Sequence, residues 1–354
     1  MPNKYSLGFI SNSRSDGEMR VPIWWEHLTE NKLNHPLIKE YIFEENFGAS
    51  AFGGAADEFL ISEGYRVVDR LSLLRLSDIV ISLKPQDEWN YMKPGSTLIG
   101  WFNHLESFPP PSSAIRFLDL EAIKILAQGR SQKLLYRNAF VAGECGVVQT
   151  LEILSQIAPF SPAILGKNRL AVVLGYGNLG QGAVTELIRQ NFENIVVFTQ
   201  RQAATIENKF PEVDYRQMEY DLETVYACDS KGVKRSLITD ILPDADIIVN
   251  GTLPSSSQPD WTFVPDNQFS QLKQNMAYLD PVHKVGHGAS FAQITPLREP
   301  IKPIHRLNHC IWYNGCNAMP AYRPTYASII ISQHIITYLD YLLKAVENAT
   351  EVLL

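Results

Sequence analysis

Gly175, Gly177 and Gly180 stand in a G-x-G-x-x-G arrangement directly behind the apolar run Leu170–Leu174, with Asn178 and Leu179 between the second and third glycines. A segment with Ala183, Leu187 and Ile188 on one helical face follows. Strand, tight turn and helix in that order suit a dinucleotide. Gly175 makes the turn, Gly177 lets the backbone approach a pyrophosphate, and Gly180 lets the helix pack closely on the strand. The helix start then offers unpaired N–H groups and the positive end of its dipole to phosphate. Three other side chains fall where strands should end: Arg20, with Glu18, on the loop after the first strand; Lys84 after an apolar run at 78–83; and His104 after another at 96–102. A guanidinium grips a carboxylate through two parallel hydrogen bonds. An ammonium polarises a carbonyl, and an imidazole passes a proton near neutral pH. Together these groups suffice for hydride chemistry at a carbon lying between a carboxylate and a nitrogen.

Positioning such residues requires strands that alternate with helices. The chain reads as strands at 4–10, 38–44, 65–68, 78–83 and 96–102, and at 170–174, 194–198, 246–250, 276–279 and 310–313. Pro22 suits the first turn of a helix running through Trp24, Trp25 and Leu28, and Asn46–Gly54 reads as a loop. Ala55–Gly64 and Val141–Ile157 read as helices, and Leu118–Leu126 alternates in helical style. Ile329, Ile336 and Leu343 recur every seven residues in a closing helix that begins near Pro320 or Tyr322. The segment 202–236 is polar, with few periodic signals. This alternation predicts an α/β fold with two Rossmann-like domains whose parallel sheets are separated by a cleft. The expected division is 1–140 plus 315–354 as a substrate domain, and 141–314 as the dinucleotide domain.

Composition narrows the partners. The chain has 354 residues, 45% of them hydrophobic and 19% charged, which gives room for two cores. Its net charge of −7, without a dense basic run, argues against nucleic acid and anionic membranes as partners. The four cysteines, Cys145, Cys228, Cys310 and Cys316, form no C-x-x-C and no metal-type cluster with histidine. Reduced thiols in a cytoplasmic protein without a metal are expected. No apolar signal region follows Met1–Tyr5, and the tract Tyr326–Leu343 carries Gln333, His334 and Asp340, which makes it a poor membrane span.

Several segments resemble one superfamily in its own order. Glu18-Met19-Arg20-Val21-Pro22 is similar to the E-x-R-V-P of the alanine dehydrogenase and transhydrogenase N-terminal domain superfamily, which also includes saccharopine dehydrogenase. Phe43-Glu44 through Gly53 and Asp57–Gly64 resemble its Gly-rich loop and helix. Ser82-Leu83-Lys84-Pro85, Trp101-Phe102-Asn103-His104-Leu105 and Ala142-Gly143-Glu144 resemble its V-K-x-P, aromatic-x-H-L and A-G segments. Asn317-Ala318-Met319-Pro320 resembles its N-M-P cofactor loop with one residue inserted. The resemblance implies that Arg20 and Lys84 hold a substrate's carboxylate and carbonyl, that His104 is the acid/base, and that Asn317 and Met319 lie at the cofactor. It also implies self-association into a homo-oligomer.

Two departures refine the expectation. Alanine dehydrogenases carry an aspartate a few residues beyond the strand that ends here at Asp280; this chain has Lys284, beside His283, which argues against plain alanine deamination. An acidic residue normally ends the strand after the glycine turn to hold the ribose of NAD. Here Thr199-Gln200-Arg201 stands in its place. An arginine with hydroxyl and amide neighbours suits a 2′-phosphate, so NADP(H) is favoured over NAD(H), the latter held by Gln200 in the other reading. Gly251 and Thr252 after one strand, and Asp280 after the next, complete the expected cofactor wall. Arg137-Asn138-Ala139-Phe140-Val141-Ala142-Gly143-Glu144 and the Thr-Gln-Arg end look most like the N5-(carboxyethyl)ornithine synthases, which join an α-keto acid to an amino-acid amine reductively. The resulting expectation is an imine reductase of opine or saccharopine type, with His283 and Lys284 at the second substrate's acidic end. The alternatives are an amino-acid dehydrogenase using ammonia and a dinucleotide-binding protein without catalysis.

Overall fold

A computed structural model describes residues 4–14, 17–30, 33–102, 114–127, 129–157, 168–220, 225–228, 233–253, 262–281 and 285–348. They divide into two compact units, Met1–Asn138 with Arg323–Leu354, and Ala139–Tyr322.

The first unit holds a six-stranded parallel sheet in the order Arg66–Val68, Ile38–Glu44, Tyr5–Phe9, Ile79–Ile81, Thr97–Gly100, Arg116–Asp119. Its central strands are apolar at nearly every position because both faces are covered. Leu7, Phe9, Phe43, Ile79, Ile81 and Ile99 pack on one side, while Ile42, Val80 and Leu98 pack on the other. Two helices close the unit, Pro324–Thr337 and Leu339–Asn348, bent by 68° at Tyr338. The seven-residue spacing overstated one continuous helix. Ile331, Ile335, Leu342 and Leu343 form the buried stripe, whereas Ile329 and Ile336 are only half-buried. Among the described residues no single helix is long and apolar enough to cross a membrane.

Other expectations are corrected here. The first helix is Glu26–Glu30, and Pro22 precedes it. The loop at 46–54 contains the short helix Ala49–Phe52 between two left-handed glycines. The segment 118–126 belongs to a strand ending at Asp119 and to the hairpin Lys124–Ala127 with Arg130–Lys133, not to a helix.

The second unit is built on a nine-stranded sheet. Its parallel centre runs Val213–Tyr220, Asn194–Thr199, Leu170–Leu174, Ile247–Asn250, Ala277–Leu279, His309–Asn314. Antiparallel strands finish both edges: Val225–Cys228 and Lys234–Ser236 on one, Ile301–Arg306 on the other. The polar segment 202–236 is thus a sheet extension. The return to the first unit falls at Arg323 and not at 315. Gly315 and Cys316 stay with the second unit, through a hydrogen bond from Gly315 N to Thr295 Oγ1 and a bridge between Thr295 and Cys316.

The long helix Tyr136–Gln156 packs against the helix Asn178–Arg189 at two glycines. A Cβ on Gly182 would fall 2.0 Å from the Phe140 carbonyl oxygen, and one on Gly143 would fall 2.1 Å from that of Leu179. Backbone meets backbone there, so nothing soft can yield. Gly182→Ala is expected to cost about 1–3 kcal/mol, read as a lowered thermal midpoint.

Candidate active site

In the first unit, the loop after Tyr5–Phe9 carries Glu18 and Arg20, both 3% exposed. Arg20 Nε donates to Glu18 Oε1 at 2.7 Å and Arg20 Nη2 to Oε2 at 2.6 Å. Nη1 reaches Asn138 Oδ1 at 3.4 Å. The Arg20 guanidinium lies over the Trp101 ring, 5.0 Å from its centre. Lys84, beyond the strand Ile79–Ile81, brings Nζ to 3.7 Å from Glu18 Oε2. One buried carboxylate thus gathers two cations. Burial pushes the Glu18 carboxyl upward, but Arg20 and Lys84 outweigh burial and hold it below the usual carboxylate range.

The geometry fixes how Arg20 can be used. A guanidinium has five N–H groups in a planar fork. Glu18 takes the edge formed by Nε and Nη2, which locks the plane. The edge formed by Nη1 and Nη2 keeps donors suited to a second carboxylate. The structure therefore brings Arg20 and Lys84 together. The sequence reading gave Trp101 and Asn138 no role; Trp101 was visible only as the aromatic opening the motif that contains His104. His104 itself lies outside the described residues, as do His283 and Lys284.

In the second unit, Gly175 has φ +89°, a conformation that disfavours any side chain, and its N–H donates to the Phe198 carbonyl at 2.7 Å. A Cβ on Gly180 would fall 2.1 Å from the Gly175 oxygen, whereas one on Gly177 would meet nothing within 4 Å. Gly177 precedes the helix Asn178–Arg189, and no side chain caps that helix start. Open space and an aligned dipole at a helix start without a side-chain cap are what a pyrophosphate requires, so the residues present fit a dinucleotide. Leu179 is buried beneath Gly251, and Thr252 lies against Gly175.

Beyond the strand Asn194–Thr199, Gln200 and Arg201 are exposed. The Arg201 N–H donates to Thr199 Oγ1 at 3.4 Å, and its Nη2 donates to the Tyr176 carbonyl. Its guanidinium stands 5.9 Å from the centre of the Tyr176 ring. Asn317 is exposed, while Met319 is buried against Gly146 of the long helix, a packing position. A cavity of about 470 Å³ in this unit, lined by Glu193, Glu212, Asp214 and Arg216 among others, lies at the amino-terminal ends of the strands, away from the glycine turn.

Asp280 follows the strand Ala277–Leu279 and is 3% exposed. Its Oδ1 accepts from Asn250 Nδ2 at 3.1 Å, and Oδ2 makes no close hydrogen bond among the described residues. Burial raises this carboxyl most, Asn250 and Tyr313 pull it back, and the result is pushed up to about 7. The folded state therefore holds a proton that the unfolded chain, with an ordinary carboxyl near 3.8, releases. Stability from this group is intact below about pH 4 and is lost as pH rises toward 7. Relative to the parent protein, Asp280→Asn is expected to gain about 2–4 kcal/mol across that interval, checked by denaturant unfolding at pH 4 and pH 8.

Comparison with known proteins returns names that the motifs suggested. Two N(5)-(carboxyethyl)ornithine synthases are similar in sequence. The protein from Lactococcus lactis subsp. lactis strain IL1403 is 26% identical over 259 residues, covering 67% of this chain and 78% of its own. The other, from Lactococcus lactis subsp. lactis, is 25% identical over 259 residues, covering 67% and 77%. Among solved structures, the transhydrogenase from Sinorhizobium meliloti superposes with a TM-score of 0.70 at 14% identity, over 96% of this chain and 93% of that one. An L-alanine dehydrogenase gives 0.69 at 18% identity, over 98% and 92%. No family model matches the chain. The fold is that of the dehydrogenase and transhydrogenase structures, with Rossmann-like parallel sheets, and the sequence relatives are enzymes.

Proposed function

We propose that the protein is an NAD(P)H-dependent oxidoreductase that reduces the imine formed between an α-keto acid and an amino-acid amine. The observation that carries this reading is Arg20 and Lys84 held on one buried carboxylate, in a chain that also builds a dinucleotide turn at Gly175–Gly180. The Nη1–Nη2 edge of Arg20, beside Asn138, receives the keto acid's carboxylate, and Trp101 shields the guanidinium from water. Lys84 polarises the adjoining carbonyl, so an amine adds to it and water is then lost. The bound dinucleotide supplies the hydride to the imine carbon, and the nitrogen takes up one proton. His104, by the resemblance, manages the protons. The sequence relatives, named for a carboxyethyl amino acid, support this class of product.

Arg201, braced on Tyr176 where an acidic residue would favour NAD, supports NADP(H) as the cofactor. Arg201→Ala is expected to weaken NADPH about tenfold while leaving NADH within about twofold, seen in KM or in fluorescence titration. The test of the whole reading is NADPH oxidation with a panel of keto acids, each given with amino-acid amines or with ammonium. Turnover only with amines supports imine reduction; turnover with ammonium alone supports the amino-acid dehydrogenase reading. Tight NADPH binding with no turnover in either arm leaves a dinucleotide-binding protein. Small-molecule substrates, self-association into a homo-oligomer and a cytoplasmic location complete the proposal.

A further inference from the structure

A chain of hydrogen bonds with a fixed direction ends on Asp280. Thr252 N–H, which can only donate, points to Asn250 Oδ1 at 3.2 Å, so the amide is oriented. Thr252 Oγ1 donates to the same oxygen at 2.5 Å. With its proton committed, that hydroxyl accepts from His287 Nε2, 3.2 Å away. Asn250 Nδ2 then donates to Asp280 Oδ1 at 3.1 Å. Asn250 is 1% exposed and His287 5%. Gly288, at φ +86°, presses on the Asn250 amide, where a Cβ would come within 2.1 Å of Nδ2. The chain therefore runs His287, Thr252, Asn250, Asp280, every donor assigned, with a proton on Nε2 of the imidazole. Among the described residues, the other ionisable groups facing Asp280 are the hydroxyls of Tyr278, on its own strand, and Tyr313, on the neighbouring one.

This chain borders the glycine turn. Thr252 packs on Gly175, and the strands ending at Leu174, Asn250 and Leu279 are consecutive neighbours in the sheet. Two strand spacings, about 10 Å, separate the turn from Asp280, a span the nicotinamide half of a dinucleotide can cover. We propose that His287, through Thr252 and Asn250, governs the charge Asp280 presents to the nicotinamide end of the site, as a positioning residue that makes oxidised and reduced dinucleotide bind with different dependence on pH. The inference rests on the dinucleotide reading given above. The nicotinamide ring carries a positive charge when oxidised and none when reduced. A carboxylate at 280 favours the first and is indifferent to the second. A polarised donor chain stabilises that carboxylate.

Dissociation constants of the full-length protein for NADP⁺ and NADPH, measured from pH 5.5 to 9, test this. NADP⁺ affinity is expected to rise about tenfold through neutrality while NADPH affinity stays within about twofold. Thr252→Val and His287→Leu should move the midpoint upward by about half a pH unit or more, and Thr252→Ser should restore it. Equal pH dependence for the two ligands in the parent protein, or a midpoint that neither variant moves, overturns the proposal. If neither dinucleotide binds, the functional reading above has failed. The hydrogen-bond chain is then read separately by nitrogen NMR of ¹⁵N-histidine-labelled protein, His287 being assigned by its loss in His287→Gln. A protonated Nε2, with a resonance that shifts in Asp280→Asn, is expected. An unprotonated Nε2, or no shift, overturns the coupling.

Discussion

Arg20→Met is expected to destabilise the protein by about 3–5 kcal/mol and to lower kcat/KM for the keto acid by about a thousandfold. The two effects have different origins. Removing the guanidinium leaves the Glu18 carboxylate buried, with Lys84 at 3.7 Å the one cation among the described residues to oppose its charge. Removing it also deletes the edge that grips the substrate. A second substitution separates these causes. Glu18→Gln combined with Arg20→Met takes away both buried charges, so most of the stability should return while turnover does not. Chemical denaturation of the single and double variants beside their steady-state kinetics is the measurement. A double variant that regains turnover would show that Arg20 serves only to neutralise Glu18.

Gly177→Val should do the reverse, leaving the fold intact and abolishing cofactor binding. Gly177 has φ −72° and ψ −169°, extended backbone that any residue adopts. A Cβ there meets no protein atom within 4 Å. The unfolding free energy should change by less than about 0.5 kcal/mol. A valine, however, fills the space through which a pyrophosphate must reach the N–H groups of the helix start. Losing two or three charge-assisted hydrogen bonds corresponds to about a thousandfold in dinucleotide affinity, measured by calorimetry. Undiminished binding by a stably folded Gly177→Val protein would place the phosphates elsewhere.

The parallel cores of both units were legible in the chain because strands buried on two faces are apolar at almost every position. Leu170–Leu174 and Ile38–Glu44 were located to the residue. What escaped has physical reasons. Residues 116–127 carry apolar side chains at spacings that fit either periodicity. The alternation along Lys124–Ala127, exposed and buried in turn, belongs to a hairpin. The strands within 202–236 are the outer three on one side of the sheet, where half-exposed positions tolerate charge and the apolar signal fades. In the site, Arg20 and Lys84 could be singled out because cations at strand ends have chemical meaning. His287 could not, since a histidine between two glycines carries no periodic signal. Only the three-dimensional path through Thr252 and Asn250 connects it to Asp280.

The last strand-covering elements of the first unit follow the second unit in the sequence. Leu7, Phe9 and Phe43 share their core with Ile331, Ile335, Leu342 and Val346. During synthesis, the whole of Ala139 to Tyr322 is made before those partners exist. The segment inserted in the middle can therefore mature first, while the amino-terminal sheet waits with an uncovered apolar face.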